Sequence, residues 1–305
     1  MLKIEFSIPK LLYGNNFDEV TEADFEKVIT RLRECLDTMG IVVVPAMLRE
    51  ASVSAIHYSK NILLMDYSTP QPILTELAKV NLGQRLDLNQ TDFRNEGHAV
   101  KFHANSFEVV LYDKMKDLRK ATVSEKRAIE RDNLIQLELF EQFAVPRPFE
   151  VIRIEVRINK RVKLTSLLKK LKQPAPLTFR GLYRGSIAQA VLRYYFAEIT
   201  AAYAVIPPKP DSWKAFVWDF RLQHPKSRAR KMLQVAGATY ILNEVGERGF
   251  REAIRGYGAS CWPRLKKELI ELSPSNRRFP SAQVIKKALD EFTPLRLPDR
   301  RDRKG

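Results

Sequence analysis

Apolar and polar residues alternate most strictly in EVIRIEVRINKR, residues 150–161. Every second position is apolar, at Ile152, Ile154, Val156 and Ile158. Between them stand Arg153, Glu155 and Arg157. A period of two predicts a β-strand with one buried face. The other face of this strand carries one carboxylate between two arginines.

Other short apolar runs predict further strands. They are IVVVPAML (41–48), SAIHYSKNILLMDY (54–67), QRLDLNQ (84–90), HAVKFHA (98–104) and SFEVVLYDK (106–114). The last two predict a hairpin, because the pair Asn105-Ser106 between them favours a turn.

Helical spacing of apolar residues predicts helices before and after these strands. In the first part of the chain they are TEADFEKVITRLRECLDTMG (21–40), QPILTELAKVNLG (71–83), TVSEKRAIERDNLIQLELFEQF (122–143) and SIAQAVLRYYFAEITAAYAV (186–205). Further along are the basic stretches SRARKMLQVAGATYILNEVG (227–246), RGFREAIRGYG (248–258) and CWPRLKKELIEL (261–272).

This order of elements predicts an α+β fold, an antiparallel sheet with flanking helices, followed by a mainly helical basic region. The proline-rich stretch IPPKPD (206–211) predicts the boundary between them. We expect residues 1–206 to form the α+β domain and residues 211–295 the helical region. Residues 296–305 are expected to form a basic tail.

Composition narrows the class of protein. The chain has 305 residues, of which 45% are hydrophobic, and contains no apolar run near the roughly 20 residues that span a bilayer. No signal peptide is recognisable at the N-terminus, and Cys35 and Cys261 are too few for a disulfide framework. We therefore expect a cytoplasmic protein without a membrane partner.

Charge is distributed unevenly along the chain. The formal net charge is +16, with −4 on residues 1–150 and +20 on residues 151–305. A basic half of this kind predicts a polyanionic partner, and nucleic acid fits better than a membrane because no basic amphipathic helix has a strong aromatic face.

Three common motifs are absent from the sequence: the phosphate-binding loop of ATPases, the dinucleotide fingerprint and the G-x-S-x-G elbow. What remains is a set of polar residues on predicted strands: Arg85-x-Asp87, Tyr112-Asp113-Lys114 and Arg153-x-Glu155-x-Arg157. By themselves such residues also arise as cross-strand ion pairs, each contributing under about 1 kcal/mol at a surface.

Four segments carry a resemblance to a known family. PKLLYGNN (9–16), RLDLN (85–89), FEVVLYDK (107–114) and RIEVRI (153–158), in this order, resemble the rolling-circle replication initiators of filamentous phages and related plasmids. The likeness covers residues 5–200 in scattered motifs. It implies an HUH-endonuclease-like nicking domain, although the His-hydrophobe-His triplet is missing. The branch with an acidic metal site is the closer match.

The resemblance implies a reaction and a set of residues. A tyrosine attacks one phosphodiester of the origin and is joined to the 5′-phosphate, with Mg²⁺ or Mn²⁺ as cofactor. Hard cations prefer carboxylates, so Asp87 and Glu155 are the expected ligands, with Asp113 ranked third. Lys114 is expected to be a catalytic residue that contacts a phosphate. Phosphate contacts are also expected from Arg85, Arg153 and Arg157.

The nucleophile and the origin-binding residues are expected further along the chain. In similar proteins the tyrosine follows the Arg-x-Glu strand by a few tens of residues, which indicates Tyr194 or Tyr195, with Tyr183 in reserve. Tyr195 also fits a core aromatic residue. Origin contacts are expected from the basic helices, at Arg228, Arg230, Lys231, Arg255, Lys266 and Lys267. Trp262 and Tyr257 are candidates for stacking on unpaired bases or for the core.

Three alternatives remain open at this point. The first is a DNA-binding regulator that keeps the fold without the chemistry. A conjugative relaxase would be expected to carry a histidine-rich metal site, and an RNA-binding protein an aromatic platform on the sheet. A host helicase is a candidate partner of the initiator.

Overall fold

The structure is a computed structural model. It describes residues 3–64, 69–80, 91–94, 98–123, 150–203, 206, 210, 212–272 and 282–296. At residues 91–94, 119–123 and 203 it describes the backbone alone. Among the described residues, no helix combines the length and apolar character that a membrane crossing requires.

The predicted α+β class with an antiparallel sheet is confirmed. The strands are β1 Ile56–Leu64, β2 Thr91–Arg94, β3 Ala99–Ala104, β4 Phe107–Asp113 and β5 Glu150–Ile158, in the order β1-β5-β4-β3-β2. Strand β5 pairs antiparallel with both β1 and β4, and β2 pairs antiparallel with β3. The strand predicted at 84–90 lies outside the described residues.

Helices flank the sheet in sequence, mostly where they were predicted. They are α1 Ile8–Tyr13, α2 Phe25–Thr38, α3 Pro45–Arg49, α4 Pro70–Ala78, α5 Lys114–Val123, α6 Arg161–Lys170, α7 Phe179–Leu182, α8 Gly185–Tyr203, α9 Trp213–Gln223, α10 Ala229–Ala253, α11 Cys261–Leu272 and α12 Ala282–Glu291. Short 3-10 turns cover Glu22–Asp24 and Arg255–Tyr257. The helix predicted at 122–143 lies largely outside the described residues.

The strand predicted for IVVVPAML is wrong. Residues 41–44 belong to no strand, Val44 is extended, and Pro45 begins α3. Burial nevertheless alternates along this apolar run, because Ile41 and Val43 pack against the cluster of Ile29, Leu32, Leu36 and Leu48 while Val42 and Val44 are exposed. The apolar partner is a helix, so no backbone ladder forms.

The chain forms two compact units. The first comprises Met1–Pro70, Ala104–Tyr194 and Val284–Gly305, and the second comprises Gln71–His103 and Tyr195–Gln283. Strands β1, β4 and β5 therefore belong to the first unit. The domain boundary predicted at residues 207–210 stays a prediction.

Within the first unit, a terminal clasp joins the start and the end of the chain to β1. We use this name for Glu19, Lys60 and residues 293–296. The Glu19 carboxylate accepts hydrogen bonds from Lys60 Nζ, from Asn61 N and, at 2.8 Å, from Leu295 N. Lys60 Nζ also donates to the Thr293 carbonyl at 2.6 Å. The ammonium group is enclosed, since Lys60 is only 4% exposed.

Within the second unit, helix α10 is interrupted at Gly246, where the sequence predicted that one basic helix ends and the next begins. Gly246 has φ 71° and ψ 176°, a conformation essentially confined to glycine. A Cβ at this position would lie 3.1 Å from both Cα and the carbonyl oxygen of Lys79. The same carbonyl accepts a hydrogen bond from Glu247 N at 3.1 Å.

Replacing Gly246 with alanine is therefore expected to lower the free energy of unfolding by about 1–3 kcal/mol, through backbone strain and the close approach of Lys79. Urea unfolding measures this loss. Gly237 in the same helix is the matched control, because a Cβ there meets nothing within 4 Å. Gly237→Ala should stabilise the helix by about 0.5–1 kcal/mol. Equal effects of the two substitutions would contradict this account.

Candidate functional site

The polar face of β5 carries the candidate site. Ile152, Ile154, Val156 and Ile158 are completely buried, which confirms the alternation predicted for this strand. On the other face, Glu155 lies opposite Ser59 of β1 and Val110 of β4, while Arg157 lies opposite His57 and Glu108. Directly opposed residues of antiparallel strands share a face. The pairing therefore gathers polar side chains of three strands, and we call Tyr112, Lys114, Arg153, Glu155 and Arg157 the Glu155 cluster.

Glu155 lies at the centre of this cluster, largely buried. Its Oε1 accepts a hydrogen bond from Arg157 Nε at 2.9 Å and lies 3.7 Å from His57 Nδ1. Its Oε2 is 3.4 Å from the Tyr112 hydroxyl. Burial alone would raise the pKa of Glu155, but Arg153 and Arg157 outweigh it and hold the pKa below its ordinary value. The carboxyl group is therefore ionised at neutral pH.

The two arginines beside Glu155 have different surroundings. Arg153 is 9% exposed, and its guanidinium donates to the Asn16 carbonyl and to Ser59 Oγ, both at 2.6 Å. The Arg157 side chain is 34% exposed and contacts Glu108 Oε2 at 3.5 Å as well as Glu155. Of the two, Arg157 is thus the one placed to reach a ligand in solution, while Arg153 fixes the loop at Asn16 and the strand β1.

Lys114 is buried beside Tyr112. Its Nζ lies 3.1 Å from Asp117 Oδ2 and 5.6 Å from the centre of the Tyr112 ring. Burial, with a smaller contribution from Arg153, lowers the pKa of Lys114 to about 8. Burial likewise raises the pKa of Tyr112 well above its usual range, and the charge of Glu155 adds to this shift while Arg153 opposes it. Tyr112 is therefore a protonated hydrogen-bond donor at neutral pH.

The lowered pKa of Lys114 predicts a pH dependence of stability. Below pH 8 the lysine is charged in both the folded and the unfolded protein, and folding bears the whole cost of burying that charge. Between pH 8 and 10.5 the folded state loses its proton first, so stability rises with pH. Relative to a Lys114→Met variant, the wild type should gain on the order of 3 kcal/mol across this interval. Urea unfolding of both proteins at pH 7 and pH 10 tests this gain. A difference in their free energies of unfolding that is the same at both pH values would contradict the prediction.

The expected metal ligands are only partly within the described residues. Asp87 lies outside them, as does Arg85. Asp113 caps α5, because its Oδ1 accepts a hydrogen bond from Lys116 N at 2.9 Å, and it lies opposite Ile152, away from the face of Glu155. No group of three His, Cys, Asp or Glu side chains that could hold a metal occurs in the described ranges. Glu155 and His57 alone would supply two donors, so a divalent cation fits this face only with a further ligand.

The candidate tyrosines lie in different surroundings. Tyr194 is half-buried, and its hydroxyl is 2.6 Å from Lys170 Nζ, which also lies 4.5 Å from the centre of the ring. Tyr195 is buried in the second unit, as its interpretation as a core residue required. Burial raises the pKa of Tyr183 well above its ordinary value, and Asp24 contributes to this shift. Tyr194 is thus the candidate with a cation next to its oxygen.

The predicted origin-binding residues of the second unit are mostly accessible. Exposed residues among them are Arg228, Arg230, Arg255 and Lys267. Lys266 is half-buried, and Lys231 forms an ion pair with Glu268 at 2.6 Å. Trp262 packs edge-on against Phe250 with ring centres 5.8 Å apart, so the core interpretation of this tryptophan is confirmed.

Sequence reasoning named Tyr112 among the polar strand residues without giving it a role, and it did not single out His57, Ser59 or Glu108. All four contact residues of the Glu155 cluster or belong to it. The missing information was the register against β5, because β1 and β5 are separated by residues 65–149 of the chain.

The chain was compared with protein-family models, with curated proteins and with solved structures. None of the three comparisons finds a match. The function is therefore inferred from the residues and contacts described above.

Proposed function

We propose that the protein initiates rolling-circle DNA replication by nicking one strand of an origin through a tyrosine and rejoining it after replication. The observation that carries this proposal is the Glu155 cluster, in which a carboxylate and two guanidinium groups share one face of an antiparallel sheet and a buried lysine follows strand β4. Phosphodiester cleavage needs a positioned nucleophile and positive charge near the phosphate oxygens. The likeness of the four sequence segments to replication initiators supports the same assignment.

In this proposal Tyr194 is the nucleophile. Its Oη forms a bond to phosphorus as the bond from phosphorus to the 3′ oxygen breaks. The phenol gives up a proton, and the leaving 3′ oxygen takes one up. Lys170 Nζ, 2.6 Å from the hydroxyl, stabilises the negative charge that develops on the attacking oxygen. Reversal of the same step rejoins the strand.

Arg157 would contact the phosphate, and Lys114 and Arg153 would contribute positive potential from inside the fold. Glu155 and Asp87 would hold the divalent ion, which supplies Lewis-acid stabilisation of the phosphate oxygens. Because the sequence has no nucleotide-binding loop of the ATPase type, strand separation is assigned to a host helicase.

A DNA-binding regulator is the second candidate, and a specific observation favours it. The Glu155 carboxylate is already paired with Arg157 at 2.9 Å, and Arg153 donates hydrogen bonds to Asn16 and Ser59. Charged side chains that are already paired within the protein can have a purely structural role. Both candidates bind DNA with an affinity that falls as salt increases.

Supercoiled DNA that carries the origin of the encoding element separates the two candidates. Incubation with Mg²⁺ or Mn²⁺ should convert it to nicked circles if the protein is an initiator. Retarded mobility on a native gel without any nicked product, across both metals, would instead support the regulator.

A further inference from the structure

Helix α9 exposes two of the three tryptophans in the chain. Trp213 is 42% exposed and Trp218 is 57% exposed, whereas the third, Trp262, is 9% exposed. The buried side chains of this helix are those of Phe216 and Phe220. The Trp213 ring packs edge-on against Phe216 at 5.6 Å between ring centres, yet both indoles keep a large part of their surface accessible.

Two cations lie between these tryptophans around the helix. At about 100° per residue, Arg221 and Lys214 fall between Trp213 and Trp218 on the exposed side of α9. The Arg221 guanidinium lies 5.7 Å from the centre of the Trp218 ring, within the range of a cation–π contact. The two cations thus lie between the two rings around the exposed side of the helix.

The surroundings of this surface add a third ring and more positive charge. Tyr240 of α10 is exposed, and its ring centre is 6.3 Å from that of Trp213. Residues 212–245 carry six lysines and arginines against two acidic residues. The net charge of this stretch is 6 − 2 = +4, which complements the negative charge of a nucleic-acid backbone.

We propose that Trp213, Trp218 and Tyr240, with Lys214 and Arg221, form a stacking surface for single-stranded DNA. Every base has a π face, so exposed rings bind unpaired bases with little sequence preference, and neighbouring cations contact the phosphates. Binding to this surface involves no cleavage and none of the residues of the Glu155 cluster. The choice of DNA over RNA rests on the proposed function.

Titration of the full chain with oligo-dT in EDTA tests the proposal through intrinsic tryptophan fluorescence. Stacking should quench the emission of Trp213 and Trp218, while buried Trp262 keeps a residual signal. By fluorescence anisotropy of labelled oligo-dT, the Trp213→Ala/Trp218→Ala variant should bind at least about tenfold more weakly. Lys214→Ala/Arg221→Ala should reduce the salt slope of log K by about 0.7 for each phosphate that the variant no longer neutralises.

Leu222→Ala is the matched control, because Leu222 is an exposed apolar residue of the same helix and carries no ring. This variant should keep the wild-type affinity, and all variants should unfold cooperatively in urea. Unchanged affinity of the double tryptophan variant overturns the proposal, as does tighter binding of oligo-U than of oligo-dT. Self-association that the tryptophan variant loses, without DNA binding, would assign the surface to a second copy of the chain. Because no divalent metal is present, failure of the nicking activity leaves the result of this titration unaffected.

Discussion

Glutamine in place of Glu155 is expected to lower the rate of DNA cleavage by at least about a hundredfold, while the protein stays folded and still binds DNA. The substitution keeps the shape of the side chain but removes the one negative charge between Arg153 and Arg157. In the proposed reaction that charge would help to hold the divalent ion. We expect a loss of about 1–3 kcal/mol in stability from the weakened bond to Arg157, which a typical domain tolerates.

Cleavage of origin DNA and binding measured in EDTA give the two readouts for this variant. Glu108→Gln is the matched control, because Glu108 contacts the same arginine at 3.5 Å from the same face of the sheet. It removes a comparable charge from Arg157 without touching the carboxylate at the centre of the cluster, so cleavage should survive. If Glu155→Gln cleaves DNA as fast as Glu108→Gln, then Glu155 serves the fold and not the reaction.

Alanine in place of Glu19 is expected to produce the largest loss of stability, about 3–5 kcal/mol. The substitution leaves Lys60 buried without its carboxylate and removes the acceptor shared by Asn61 N and Leu295 N. An uncompensated buried charge costs more than a surface ion pair contributes. Chemical unfolding by urea, followed by circular dichroism, measures the change.

Glu5→Ala is the control for Glu19→Ala, because Glu5 is highly exposed and lies 3.8 Å from an equally exposed Lys3. Its unfolding midpoint should match the wild type. Adding Lys60→Met to Glu19→Ala should recover part of the lost stability, since the double variant no longer buries an unpaired ammonium group. A Glu19→Ala protein as stable as the wild type would contradict the role of the terminal clasp.

Local patterns of the sequence were sufficient for most of the secondary structure. The alternation in β5, the hairpin turn at Asn105-Ser106 and the break between helices at Gly246 depend on residues close together in the chain. Such signals act within a few residues, through side-chain period and backbone preference. The error at IVVVPAML has the same origin, because a continuous apolar run of β-branched residues favours a strand locally without specifying what will cover it.

Contacts between distant segments could not be predicted in the same way. The clasp joins Glu19 to Leu295, and Tyr112 meets Glu155 only through the register of β4 against β5. Lys170 reaches Tyr194 because α6 and α8 come together in the fold. Each of these contacts depends on tertiary packing, whereas the sequence indicated only that the individual residues were polar or aromatic. Spacing alone placed Arg153, Glu155 and Arg157 on one face of a strand, whereas the role of Lys114 beside them was implied only by the resemblance.

The most direct test of the central claim is a search for a covalent protein–DNA adduct. The protein would be incubated with single-stranded origin DNA and Mn²⁺, resolved by denaturing electrophoresis and digested for mass spectrometry. The proposal predicts a 5′-phosphate linked to Tyr194, absent from Tyr194→Phe and from Glu155→Gln. A protein that binds the same DNA but forms no adduct on any tyrosine would contradict the nicking function and leave the Glu155 cluster as part of a DNA-binding fold.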